Sequence, residues 1–142
     1  MVDVAQTRAL VMHGDQLCTD DTQYQSFRSL VRSTQWQQEF LSKTIEQRLF
    51  IAEQLRSASK EQGQLKSQDI TDVNQEAVIN TMQQHDVNLL IHGHTHRPAV
   101  HNVLVNKQNA TRMVLGDWGK SLWYIKCSAC GCELIESPLR SD

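Results

Sequence analysis

Three histidines at alternate positions follow a short apolar run in the second half of the chain. His92, His94 and His96 come directly after residues 89–91, and Gly93 separates the first two. Imidazole is the side chain that most often ligates metal ions in proteins. A single histidine is more often a core or surface residue, but this spacing after an apolar strand favours a metal site.

Another histidine lies at the end of a second apolar run. Residues 7–12 predict a buried strand, and His13, Gly14 and Asp15 follow at once. Open α/β sheets place their ligand sites at the carboxyl ends of strands. We therefore expect His13 to meet the later histidines at one edge of a sheet. No element before residue 7 is recognisable as a partner for this strand.

Helical periodicity fills the segment between the two histidine motifs. Apolar residues recur at spacings of three or four after residue 22, twice within residues 34–59, and again over residues 72–84. We expect Gly63 and its polar neighbours to interrupt the helices, and Asp72 to cap the last one. Strand patterns follow at residues 87–91, 100–105, 111–115, 122–126 and 133–135. The predicted fold class is α/β.

Composition and charge exclude several classes of protein. The 142 residues carry 14 Lys and Arg against 16 Asp and Glu, so the chain lacks the basic excess of a nucleic-acid binder. No apolar run approaches the roughly 20 residues of a membrane span, and no signal peptide is recognisable. We therefore expect a cytoplasmic protein.

The four cysteines are expected to be reduced, as is usual in the cytoplasm. They are Cys18, Cys127, Cys130 and Cys132. The last three have spacings found in zinc sites, but a closed zinc site usually needs four ligands. A chance cluster in a terminal hairpin is the favoured interpretation.

Several segments together resemble one enzyme family. They are residues 12–21, 56–61, 72–74, 91–101 and 114–118. These segments, in this order and spacing, are similar to the UDP-2,3-diacylglucosamine pyrophosphatases of lipid A biosynthesis, which belong to the calcineurin-like metallophosphoesterase superfamily. The resemblance runs from about Thr7 to Trp118.

The fold that this resemblance implies is the C-terminal part of a metallophosphoesterase β-sandwich flanked by helices. Residues 1–142 would form a single partial domain. A helical insertion would occupy about residues 22–84, and strands of the second sheet would occupy about residues 87–136.

The activity that the resemblance implies is hydrolysis of the pyrophosphate bond of UDP-2,3-diacylglucosamine, giving UMP and 2,3-diacylglucosamine 1-phosphate. The family uses two Mn²⁺ ions for this reaction. By the family pattern, His13 and His94 would hold one ion and His96 the other, while His92 would support them. Substrate contacts would come from Asp21, Arg56, Ser59, Lys66 and His94.

The partners that the resemblance implies are a lipid-linked nucleotide sugar and a membrane surface. We therefore expect a protein that is peripheral to the inner membrane on its cytoplasmic side. The acyl chains of the substrate would lie against Phe27, Trp36, Phe40 and Leu55. Apolar residues at helical spacing are equally typical of a core.

The sequence also departs from the family pattern. The D-x-H, G-D and G-N-R motifs of the family's first half, which supply four of the seven metal ligands, are absent from their places here. We expect a chain that lacks an N-terminal half and has low metal affinity and impaired turnover by itself. Two alternatives stay open: a catalytically inactive remnant, and a metallophosphoesterase acting on another phosphodiester or pyrophosphate.

Overall fold

The computed structural model describes residues 1–4, 7–65 and 70–139. It confirms the predicted α/β class, because α-helices and a mixed sheet are both present. The chain divides into two compact units, one formed by residues 1–17 and 73–142 and the other by residues 18–72. The single-domain assignment and the bounds of the insertion stay predictions.

The first unit is built on a five-stranded mixed sheet. Its strands are β1 (Val2–Val4), β2 (Thr7–Val11), β3 (Leu89–His92), β4 (Ala99–Val105) and β5 (Gln108–Val114). Their order across the sheet is β1-β2-β3-β5-β4. The three central strands are parallel to one another, whereas β1 and β4 pair antiparallel at the edges.

Strand β1 corrects one expectation, because the strand at residue 7 does have an earlier partner. Val2 lies opposite Ala9, and Val4 lies opposite Thr7. A run of three residues is too short for its alternation to be recognised in the sequence.

The core of this unit lies on both faces of the sheet. On one face, Ala9, Leu89, Ile91 and Met113 form a buried cluster. On the other, helix α4 (Gln75–Gln84) contacts β4 and buries Val78 and Met82. Burying one large apolar side chain stabilises a fold by about 1.5–3 kcal/mol, so these two layers fix the sheet on which the histidines lie.

A terminal hairpin packs beside the first of these clusters. Strands β6 (Ser121–Ser128) and β7 (Gly131–Pro138) pair antiparallel and form a separate two-stranded sheet. Ile125 and Cys132, one from each strand, pack against the buried cluster. The hairpin predicted from the sequence is confirmed.

The expectation that all four cysteines are reduced is wrong for two of them. Cys127 and Cys132 form a disulfide. The register places the two residues directly opposite each other on β6 and β7, with their Cα atoms 4.0 Å apart. The disulfide removes two of the three sulfurs of the cysteine cluster as metal ligands.

The second unit is helical. Its helices are α1 (Thr22–Val31), α2 (Thr34–Leu41) and α3 (Ile45–Leu65). Ser33 caps α2 by accepting a hydrogen bond from the Trp36 amide. Helix α3 runs through Gly63, so the predicted interruption there is wrong. One glycine costs a helix only about 1 kcal/mol, which a helix of 21 residues tolerates.

The start of α3 is stabilised by a reciprocal pair of hydrogen bonds. The Gln47 amide donates to the Thr44 hydroxyl at 3.3 Å, and the Thr44 amide donates to the Gln47 side chain at 3.1 Å. A backbone hydrogen bond to Glu46, followed by one from the Thr44 side chain, lowers the pKa of the Glu46 carboxyl. A carboxylate in the first turn also interacts favourably with the helix dipole.

Many apolar side chains of the helical unit are exposed. They include Phe27, Leu30, Leu41, Ile45, Leu49 and Phe50. Trp36 and Phe40, which stack with ring centroids 4.9 Å apart, are only partly buried, as is Leu55. Across the described ranges, every helix is too short or too polar to traverse a lipid bilayer.

The N-cap of α4 is Asn74 rather than the predicted Asp72. The Asn74 side chain accepts a hydrogen bond from the Ala77 amide at 3.0 Å, and the Asn74 amide donates to the Leu17 carbonyl at 2.9 Å. The second bond fixes the start of α4 beside the segment that carries His13.

We predict that Asn74→Ala lowers the free energy of unfolding by about 1 kcal/mol, because the Ala77 amide loses its acceptor. Asn74→Ser is the matched control and should retain most of the stability, since serine caps helices almost as well. Urea denaturation followed by circular dichroism measures both variants. Equal losses in the two variants would contradict a capping role.

Candidate functional site

The histidines of the two motifs meet at the carboxyl edge of the sheet. Strands β2 and β3 are parallel neighbours, and the pairing continues past their ends. The Met12 amide donates to the Ile91 carbonyl at 3.1 Å, and the Gly93 amide donates to the His13 carbonyl at 3.0 Å. As a result the His13 and His94 rings are in edge contact, with centroids 4.8 Å apart. The predicted meeting of these two histidines is confirmed.

The His13 ring is oriented by a carboxylate. Its Nδ1 lies 3.1 Å from Oδ1 of Asp15. The Asp15 side chain is 5% exposed, whereas that of His13 is 61% exposed. When Nδ1 donates to a carboxylate, Nε2 keeps its lone pair, and many metal-binding histidines are held in this way.

The role of Asp15 is not among the expectations from the sequence. The signal that could have identified it is the interval of two residues between His13 and a carboxylate at the end of a strand. Gly14 between them has φ +105°, a backbone conformation that glycine adopts readily because it has no Cβ.

The backbone that carries His94 and His96 is a tight loop. The Thr95 amide donates to the Gly93 carbonyl at 2.8 Å, which closes a three-residue turn centred on His94. His94 has φ 66° and His96 has φ 53°. Both values lie in the left-handed region, which residues other than glycine rarely occupy. Backbone strain of this kind concentrates at functional sites. The two histidines therefore do not lie along an extended strand.

His92 is a buried structural residue. It is 1% exposed, and its two ring nitrogens have different hydrogen-bond partners. Nδ1 lies 3.0 Å from the Gly93 carbonyl, and Nε2 lies 3.2 Å from Nη1 of Arg112. Since both nitrogens are engaged, His92 is not available as a metal ligand, in agreement with its predicted supporting role.

Gly14 provides the space in which the His92 ring packs. A Cβ atom at residue 14 would lie 2.7 Å from Nδ1 of His92 and 3.2 Å from the Gly93 carbonyl oxygen. The close approach of the two loops therefore depends on glycine at this position.

The predicted substrate-binding residues of the helical unit that the structure describes differ in burial. Asp21 is buried and caps α1, with Oδ1 accepting from the Tyr24 amide at 2.9 Å. Arg56 and Ser59 are exposed on α3, and their spacing of three places them on one face of that helix. Lys66 lies outside the described residues.

The donors of the histidine site suit a metal ion but do not form a complete ligand set. Imidazoles with a carboxylate behind one of them are typical metal-binding groups. Within the described residues, however, no three His, Cys, Asp or Glu side chains are grouped so that they could hold one ion. No catalytic step through a metal therefore follows from this chain alone, and the ligand roles of His13, His94 and His96 stay predictions.

Curated relatives of the chain carry the name UDP-2,3-diacylglucosamine hydrolase. The relative from Escherichia coli is 50% identical over 131 residues, which are 92% of this chain and 55% of the relative. The relative from Marinobacter nauticus is 44% identical over 90% of this chain and 52% of its own length. The relative from Tolumonas auensis is 44% identical over 98% of this chain and 57% of its own length.

The chain thus spans little more than half the length of the relatives that it matches. This coverage is consistent with the predicted correspondence to a C-terminal portion. No family model matches the chain.

We predict that Gly14→Ala destabilises the protein more than Gly131→Ala does. Both glycines have positive φ, so each variant should lose about 1–3 kcal/mol from backbone strain. Only at residue 14 does the new Cβ collide with His92, which adds about 1–3 kcal/mol. Thermal unfolding of both variants measures the difference, and equal losses would contradict the packing of His92 against Gly14.

Proposed function

We propose that the chain supplies part of a UDP-2,3-diacylglucosamine hydrolase, because it is homologous to a portion of these enzymes. The reaction is hydrolysis of the pyrophosphate bond of UDP-2,3-diacylglucosamine to UMP and 2,3-diacylglucosamine 1-phosphate, a step of lipid A biosynthesis. The observation that carries this proposal is the contact between His13 and His94 at the carboxyl edge of the sheet. Both residues belong to a chain that is 44–50% identical to proteins of that name.

The metal centre of the proposed enzyme contains two Mn²⁺ ions. In this proposal His13 and His94 contribute to one ion and His96 to the other, and the remaining ligands come from residues that this chain does not contain. Two such cations polarise phosphoryl oxygens and lower the pKa of bound water. Within the chain, Asp15 holds the His13 ring, and the turn at residues 93–95 holds His94.

The residues proposed to contact the substrate head group, among them His94, are carried over from the family pattern. Arg56 presents a guanidinium whose paired donors match phosphate oxygens. Ser59, three residues along the same face of α3, adds a hydroxyl, and both side chains are exposed. Asp21 and Lys66 complete the proposed contacts.

A lipid surface is the proposed second partner. The helical unit exposes Leu30, Leu41, Ile45, Leu49 and Phe50, each by more than half. Exposed apolar residues on helices are typical of proteins that bind at the membrane interface. These residues support the proposal that acyl chains lie along Phe27, Trp36, Phe40 and Leu55, and that the protein is peripheral to the inner membrane on its cytoplasmic side.

A catalytically inactive remnant is the second candidate. The observation that favours it is the lack of a three-donor group within the described residues. Metal affinity depends on the number of ligands that are already in place, so a chain with an incomplete set binds metal weakly.

We predict that His94→Asn weakens Mn²⁺ binding to this chain by at least about tenfold, because the variant loses one of few available ligands. His85→Asn is the matched control, since His85 is an exposed residue at the end of α4. Isothermal titration with MnCl₂ above the imidazole pKa measures both affinities. A metal site elsewhere is indicated if the two variants bind equally well.

We predict that the chain alone, with excess Mn²⁺, releases UMP from UDP-2,3-diacylglucosamine at least about 100-fold more slowly than the E. coli relative assayed beside it. The physical reason is that neither ion has a complete ligand set. Comparable rates would contradict the expected impairment. Addition of a polypeptide with the remaining half of that relative should raise the rate, whereas no increase would favour the inactive remnant.

A further inference from the structure

A buried hydrogen-bond chain connects β5 with the turn that carries His94. It begins at Arg112, which is 3% exposed, and passes to His92, which is 1% exposed. Arg112 lies opposite Leu90 on the neighbouring strand, so its side chain and that of His92 lie on the same face of the sheet. The chain then continues from His92 to the Gly93 carbonyl.

The identity of the first donor determines the state of the His92 ring. A guanidinium has no acceptor and stays protonated. At 3.2 Å from Nη1 of Arg112, Nε2 of His92 must therefore accept. The ring proton then lies on Nδ1, which donates to the Gly93 carbonyl at 3.0 Å. The opposite tautomer would set two donors against each other at one end of the ring and two acceptors at the other.

The series of hydrogen bonds from Arg112 reaches the histidine site at the Gly93 carbonyl. This carbonyl also accepts the Thr95 amide at 2.8 Å and so closes the turn in which His94 has φ 66°. On its other side, the Gly93 amide donates to the His13 carbonyl at 3.0 Å. The peptide groups on either side of Gly93 are thus fixed from three directions, and one of these is the His92 ring.

The geometry assigns Arg112 the role of a positioning residue. Arg112 fixes the tautomer of His92, and the His92 ring then holds the Gly93 carbonyl and the left-handed turn at His94. The position of this turn sets the contact between the His94 and His13 rings. Arg112 acts through His92 and does not touch a reacting group. This inference deepens the proposed function, on which it rests in taking His94 as a metal ligand, but its structural part is testable without any metal.

The first test is nuclear magnetic resonance of the uniformly ¹⁵N-labelled, metal-free chain. We expect His92 to show a protonated Nδ1 and an unprotonated Nε2, and we expect a nuclear Overhauser effect between the ring protons of His13 and His94. An Nε2-protonated tautomer or a doubly protonated ring at His92 would overturn the assignment, whatever the activity of the protein.

The second test compares three variants. Arg112→Met should produce a mixture of His92 tautomers and weaken the nuclear Overhauser effect between the His13 and His94 rings at least threefold. The nuclear Overhauser effects between amide protons of β2 and β3 should persist. Arg112→Lys retains a donor and should restore in part both the wild-type His92 tautomer and the effect between the His13 and His94 rings. Arg8→Met removes an exposed arginine from β2 and should change neither signal.

The outcomes separate a positioning role from a merely structural one. Equal weakening of the ring contact and of the β2–β3 amide contacts, or no change in either, overturns the proposal. If Arg112→Met does not fold, the wild-type tautomer and the Arg112→Lys spectrum decide. Mn²⁺ titration is the part of the test that depends on the proposed function. We expect Arg112→Met to bind Mn²⁺ with an affinity about tenfold lower than that of the wild type. A wild-type chain that shows the expected tautomer but binds no Mn²⁺ refutes the metal site and leaves the positioning role standing.

Discussion

The parallel pairing of β2 with β3 is the constraint on which the histidine site depends. These strands are separated by more than 70 residues in the sequence, yet their carboxyl ends coincide because parallel neighbours run in the same direction. The hydrogen bond from the Gly93 amide to the His13 carbonyl extends this pairing into the two loops. A shift in register by one residue would turn every side chain of one strand to the opposite face and would separate His13 from His94.

The three histidines of the second motif have different physical roles because the backbone changes after His92. His92 ends a strand that is buried on both faces, and it is fully hydrogen-bonded there. His94 and His96 follow in left-handed conformations, which lift them out of the sheet. The cost of that strain is offset by the turn at Gly93, by the space that Gly14 leaves and by the buried Arg112. Asp15 gives His13 a comparable support from the other loop.

Those parts of the fold and site that depend on local pattern could be predicted from the sequence. The apolar strands at β2 and β3, the terminal hairpin and the meeting of His13 with His94 all follow from periodicity and from the rule for strand ends. What could not be predicted depends on pairing or on single hydrogen bonds. The short strand β1, the cap at Asn74, the disulfide of Cys127 and the role of Arg112 each require knowledge of which distant residue lies opposite. Helix α3 passes Gly63 because a long helix tolerates one weak residue.

Our central proposal is that His13, His94 and His96 share one metal-binding edge of the sheet, whereas the exposed His85 lies at the end of α4. The most direct measurement is paramagnetic broadening of the histidine ring signals as substoichiometric Mn²⁺ is added to the ¹⁵N-labelled chain. We predict that the signals of these three rings disappear first and that the signal of the exposed His85 keeps its line width. Uniform broadening of all histidines, or loss of the His85 signal first, would contradict it.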